Sequence, residues 1–190
     1  MTVDEARKTL LNYYDSDSDL FRLLWLHSSQ VAELSVAIAR RLEEPVDVDF
    51  VAAAAILHDV GIFQCHAPSI LCTGSEPYIR HGVIGAELLR LRRERLEPFA
   101  RVCERHTGAG LTAAEIIAEG LPLPHVDLVP ETVEEQIVCY ADKFFSKSKP
   151  HKFKSVDAVR TSMARFGDDT LRRFDAMHSR FGFVFNTTKI

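Results

Sequence analysis

Apolar residues recur along the chain at steps of three and four between short polar breaks, and no stretch alternates with the period of a half-buried strand. Leu23, His27, Val31, Leu34, Ile38 and Leu42 form one such stripe, and DSDSDL at 15–20 offers Ser18 or Asp19 to cap the helix it predicts. The same residues invite a calcium-loop reading. Leu20, however, stands where that loop needs glycine and Leu26 where it needs its closing glutamate, so capping is the better account. FVAAAAILHDVG at 50–61 predicts a short buried helix that delivers His58 and Asp59 at its end, with Gly61 as the C-cap. Further helices are expected over about 78–91, 96–106, 112–119 and 132–145. Two amphipathic helices finish the chain, marked by Val156, Val159, Met163 and Phe166 and then by Leu171, Phe174, Met177 and Phe181. TGAG at 107–110 closes one helix, GLPLPHVDLVP at 120–130 reads as an extended connector, and SKSKPHK at 146–152 as a basic loop. The pattern predicts an all-α fold without a clear domain boundary.

At 190 residues, 46% hydrophobic and 26% charged, the chain suits one globular domain with a sizeable core and argues against both disorder and membrane insertion. The apolar run at 50–57 falls far short of the roughly 20 residues that span a bilayer. MTVDEARKTL is charged and has no apolar signal core, so a cytoplasmic location is expected. Cys65, Cys72, Cys103 and Cys139 show no CxxC spacing and are expected as reduced thiols, with a Cys65–His66–Cys72 metal site the weaker reading. The net charge of −4 gives no general pull toward nucleic acid, and no nucleic-acid polymer is expected as a partner. An anionic substrate would need a local positive site.

An unpartnered buried carboxylate costs several kcal/mol or protonates, so an apolar run ending in His58 and Asp59 asks for a partner elsewhere. His27 shares its face with Leu23 and Val31, His58 with Ala54, His81 with Gly85 and Leu88, His106 with Phe99 and Val102, and Asp142 with Val138. Any one of these histidines is most simply a satisfied core residue. Polar groups pointing inward from five helices are most simply satisfied together, by cations. Adjacent residues lie about 100° apart around a helix, so His58 and Asp59 can share one centre only near its end. His66, His125, His151 and His178 have no apolar-face placement and read as loop or surface residues.

The ordered set resembles the HD-domain metal-dependent phosphohydrolases: His27, then His58 with Asp59 in LHDVG, then Asp142 in CYADK. RHGVIGAELL at 80–89 and CERHTGAG at 103–110 are similar to the segments that add two histidines, here His81 and His106, in the two-metal branch. That branch includes symmetrical diadenosine tetraphosphate hydrolases and HD-GYP cyclic dinucleotide phosphodiesterases. The likeness covers about residues 20–150, is strongest to stand-alone HDIG-type proteins, and implies one HD domain over 1–190 with C-terminal helices at about 155–181 packed on it.

The resemblance further implies that His27, His58, Asp59 and Asp142 hold one metal, and that Asp59, the catalytic bridging ligand, shares a second with His81 and His106. Two cations ~3.5–4 Å apart can clamp a phosphate oxygen and turn a bridging water into hydroxide near neutral pH, with no side-chain nucleophile. Nitrogen and oxygen donors favour iron or manganese. The implied substrate is a small phosphate ester or anhydride, nucleotide-like. Arg80, Arg105, Lys143, Lys147 and Lys149 lie near the ligands in sequence, and the SKSKPHK lysines suit substrate phosphates as point charges. Ile62 stands where many relatives carry the lysine of HDIGK, and TGAGLT at 107–112 replaces the GYP signature, which argues against a cyclic dinucleotide role. The same six ligands also occur in mixed-valent di-iron oxygenases of this fold. A non-catalytic nucleotide-binding module is disfavoured because all six are present.

Overall fold

Thr2 and Glu5 cap each other's backbone amides at the start of α1 (Val3–Leu10) in a computed structural model that describes residues 1–92, 94–149 and 152–187. Sequence periodicity did not predict this helix, which buries Ala6 and Leu10. Ser18, whose hydroxyl accepts the Phe21 amide, starts α2 (Asp19–Ala39), and Asp17 donates its amide to Asp15 Oδ1 in the turn before it. DSDSDL is therefore a capping segment, as its spacing indicates.

Asp47 caps α3 (Val48–Leu57), where Val51 and every residue from Ala53 to Leu57 is buried. A helix apolar around most of its circumference belongs inside the molecule, and α3 packs against α1, α2, α5 (Glu97–Arg105) and α7 (Val133–Asp142). The helix stops at Leu57 and passes into i→i+3 turns, with Val60 N–H on Leu57 O at 3.0 Å and Ile62 N–H on Asp59 O at 3.1 Å. This tighter winding brings the neighbours His58 and Asp59 to one side.

Gly61 does not form the left-handed cap expected from its position, for its φ is −87°. It is needed for close approach: a Cβ there would lie 2.4 Å from His81 O and 2.5 Å from Gly85 N in α4 (His81–Arg90). Gly61→Ala should accordingly lose about 1–3 kcal/mol by overpacking. Denaturant melts would read the loss, and weaker metal retention should accompany it because α4 carries His81.

Gly82 sets α4 equally close to α5, since a Cβ there would stand 2.4 Å from Cys103 O. α6 (Ala113–Ala118) and α7 begin with Thr–Glu capping boxes at Thr112 and Thr132. The connector between them pairs Leu128 with Leu111 in an isolated bridge. α8 (Val156–Ala164) and α9 (Asp168–Phe181) follow, and α9 rests on α7 through rings of Tyr140, Phe174 and Phe181. The expected all-α architecture is present. Its departure from pure helix is a small antiparallel pair, β1 (His66–Ala67) with β2 (Cys72–Thr73), too short to show alternation in sequence.

Candidate metal centre

Six side chains converge in the core as two groups that share Asp59. His27 comes from mid-α2, His58 and Asp59 from the turn ending α3, His81 from the first residue of α4, His106 from the C-cap of α5, and Asp142 from the last residue of α7. In the first group His27 Nε2 lies 3.2 Å from Asp59 Oδ2 and 3.0 Å from Asp142 Oδ1, and His58 Nε2 lies 3.0 Å and 3.5 Å from the same two atoms. In the second, His81 Nε2 and His106 Nε2 each stand 3.5 Å from Asp59 Oδ1 and 3.0 Å from one another. Asp59 thus turns a different oxygen toward each group.

The backbone prepares these rings for ligation. Nδ1 of His58, His81 and His106 meets the carbonyl three residues earlier, on Ala55 at 2.6 Å, Tyr78 at 2.7 Å and Cys103 at 2.6 Å. A proton fixed on Nδ1 leaves Nε2 as an inward lone pair. Two such lone pairs at His81 and His106 repel unless a proton or cation lies between them. Both His27 nitrogens, His58 Nε2 and Asp59 Oδ1 are buried without an aligned hydrogen bond, close though their neighbours are, and Asp59 Oδ2 faces the Lys147 ammonium. Polar atoms left so cost several kcal/mol, and cations in the two groups would satisfy the inward-facing set. The residues present fit metal ions.

Electrostatics agree with that fit. Burial, aided by His106, pushes His81 down to about 3, so it is neutral as a ligand must be. Burial opposes ionisation of Asp59, yet His58 and Lys147 outweigh it and hold the carboxyl well below its usual range. Asp142 is likewise held low against burial, by Lys143 and then His27 and His58. Burial would discharge His58, but the two carboxylates beside it raise it to about 9, so without metal a proton takes the place between His58 and the carboxylates that a cation would fill.

The candidate substrate cations divide. Lys147 enters the centre, its Nζ 2.5 Å from Asp59 Oδ2, where a cation in the first group would compete with it. Lys149 is exposed and lines a separate basic groove. Arg80 is committed to Glu76 at 2.9 Å and Pro122 O at 3.1 Å, and Arg105 to Val129 O at 2.8 Å and Glu131 at 2.7 Å. These two guanidinium groups fasten the extended connector and do not line the cavity beside the centre. Pro150 and His151 of the basic loop lie outside the described residues.

His66 and His125 are exposed, as expected, whereas His178 is half-buried on α9 with Nδ1 2.7 Å from the Tyr140 hydroxyl. Its surface reading is corrected by that packing. The four cysteines are buried free thiols, and none belongs to either ligand group.

Tyr78 and Lys154 carry no mark in the sequence, whereas Lys143 is one of the cations that lie near the ligands along the chain. Tyr78 stacks on His81 with ring centroids 4.6 Å apart. Lys143 is buried and ties Asp142 Oδ2, at 2.8 Å, to His106 O, at 2.9 Å. Lys154 reaches the site from the loop before α8. Adjacency to Asp142 marks Lys143 in the sequence, but nothing in the local pattern marks Lys154. All three line a cavity of about 610 Å³ whose floor includes His81, His106 and Asp142. No helix among the described residues is long and apolar enough to cross a membrane.

The HD domain family model matches residues 24–146. A tRNA (cytidine(56)-2'-O)-methyltransferase of Thermoplasma volcanium is 37% identical over 131 residues, which are 68% of this chain and 34% of that protein. Its counterpart in Picrophilus torridus is 39% identical over 114 residues, 59% of this chain and 29% of that one. An uncharacterized protein of Methanocaldococcus jannaschii is 40% identical over 123 residues, 64% and 63% of the two chains. The chain therefore spans about a third of the length of the two methyltransferases. No solved structure matches.

Proposed function

This chain belongs to the HD domain family, whose members are in general metal-dependent hydrolases, and on that premise we propose that it hydrolyses a phosphate ester or anhydride of a small nucleotide-like substrate with two metal ions. The observation that carries the reading is the division of Asp59, one oxygen facing His27, His58 and Asp142 and the other facing His81 and His106. Bound iron or manganese would supply water activation and neutralisation of phosphate charge.

The chain's own residues supply the rest. Asp59 keeps the two groups in register, and the carbonyls of Ala55, Tyr78 and Cys103 hold three imidazoles at fixed tautomer and angle. Lys143 holds one oxygen of Asp142 so that the other faces the histidines. Burial shuts bulk water out on every side but the cavity, through which the substrate phosphate arrives. Lys147, whose ammonium faces Asp59 Oδ2 at the edge of the first group, would supply a point charge for that phosphate.

Elemental analysis of anaerobically purified protein, followed by a phosphate-release screen, tests this. The screen covers mononucleotides, dinucleoside polyphosphates and sugar phosphates, with terminally phosphorylated tRNA included because two relatives are named for tRNA. Oxygen consumption by a reduced di-iron form without phosphate release would replace hydrolysis by oxygenation. Nucleotide binding without turnover would leave a binding module. His81→Ala should lose the second metal and keep the first, read as roughly half the metal content of the parent protein.

A further inference from the structure

We propose that Lys154 forms, with the hydroxyls of Ser146 and Ser148, an anion subsite for a second negatively charged group of the substrate. The inference rests on the phosphohydrolase reading and narrows its substrate to compounds with two linked anionic groups, such as a diphosphate.

Two other lysines beside the centre have carboxylate partners, Lys143 on Asp142 at 2.8 Å and Lys147 on Asp59 at 2.5 Å. Lys154 is half-buried, and among the described residues no carboxylate comes within ion-pair reach of it. Its Nζ donates to Lys143 O at 3.1 Å, which anchors the ammonium and leaves two of its three N–H groups to spend. Burial, with Lys143 and Lys147 nearby, disfavours its charged form despite Asp142. An anion is the ligand that would relieve this arrangement.

Position supports the same conclusion. Lys154, Ser146 and Ser148 are the residues common to the main cavity and the basic groove that also carries Lys152. They therefore form the edge between the two spaces. The serine hydroxyls stand 3.2 Å apart on that edge. A substrate whose reacting phosphate lies against His81, His106 and Asp142 would set its next anionic group there, and its uncharged body against the apolar wall of Ile79, Leu111, Phe145 and Met163.

The probe is inorganic pyrophosphate, titrated calorimetrically into metal-free protein so that chelation does not intervene. Wild type should bind it, and Lys154→Met should weaken binding about 10- to 100-fold, the worth of one charge-assisted hydrogen bond. Lys154→Arg should retain most of the affinity, and Lys8→Met, an exposed charge on α1, should bind as wild type does. Lys154→Gln, which keeps a donor without the charge, replaces the methionine variant if that one is unfolded. Absence of binding by wild type, equal affinity in the variant without the charge, or an equal loss in Lys8→Met would overturn the subsite. Pyrophosphate binding with these differences but no phosphate release from any substrate would defeat the hydrolase reading and leave the subsite standing.

Discussion

Asp59→Ala should emerge from purification with metal content reduced from about two ions per chain to near zero, and with no phosphate release above background. The carboxylate is the one side chain common to both groups, so its truncation removes a donor from each. It also removes the charge that faces four histidine nitrogens within 3.5 Å. Loss of an outer partner of a metal ligand costs roughly 10- to 100-fold in affinity or activity, and loss of a shared ligand should exceed that at both positions. The variant should still fold, because the surrounding core of α2, α3 and α7 is apolar and remains in place. His27→Ala and His81→Ala serve as the comparison, each expected to empty one group alone. Full metal occupancy in Asp59→Ala by elemental analysis would remove the bridging role, whatever the activity.

Much of this centre is legible because candidate ligands on helices leave a periodic trace. His27 sits on the same stripe as Val31 and Ile38, which are fully buried, and His106 follows Phe99 and Val102 on the inward face of α5. The one-sided pattern therefore told where these side chains point before their partners were known. Gly61 is ambiguous in sequence, since a glycine after a helix fits a C-cap as well as a close approach. Only the backbone of α4, brought 20 residues downstream in sequence to within 2.4 Å of a would-be Cβ, separates the two. The basic loop is ambiguous for another reason. Its lysines carry no periodicity, and the chain path alone sends Lys147 into the core while leaving Lys149 in solvent. Arg80 and Arg105 look like site cations by proximity in sequence, but carbonyl acceptors on the connector claim them. α1 escaped notice because its eight residues bury two positions, too few to set a period.

Chelation should lower the melting temperature on the order of 10 °C, because metal held by the folded state alone adds its binding free energy to stability. At a free concentration 1,000 times the dissociation constant one site contributes about 4 kcal/mol, and each kcal/mol moves the midpoint by ~2–4 °C in a chain of this size. The effect should depend on pH in a definite direction. In the metal-free protein His58 titrates at about 9, above its ordinary 6.5. Its protonated form, held by Asp59 and Asp142, therefore stabilises the metal-free fold fully below pH 6.5, and that contribution is lost as pH rises through 9. Metal needs the Nε2 lone pair and displaces the same proton, so binding tightens over the same interval. The gap between metal-loaded and chelated melting temperatures should widen from pH 6.5 to pH 9. Paired calorimetric scans at the two ends measure it, with protons released on metal addition followed in weakly buffered solution. A gap that narrows with pH would mean that His58 is not a ligand. An unchanged melting curve after verified metal removal would mean that the six residues form an ordinary polar core.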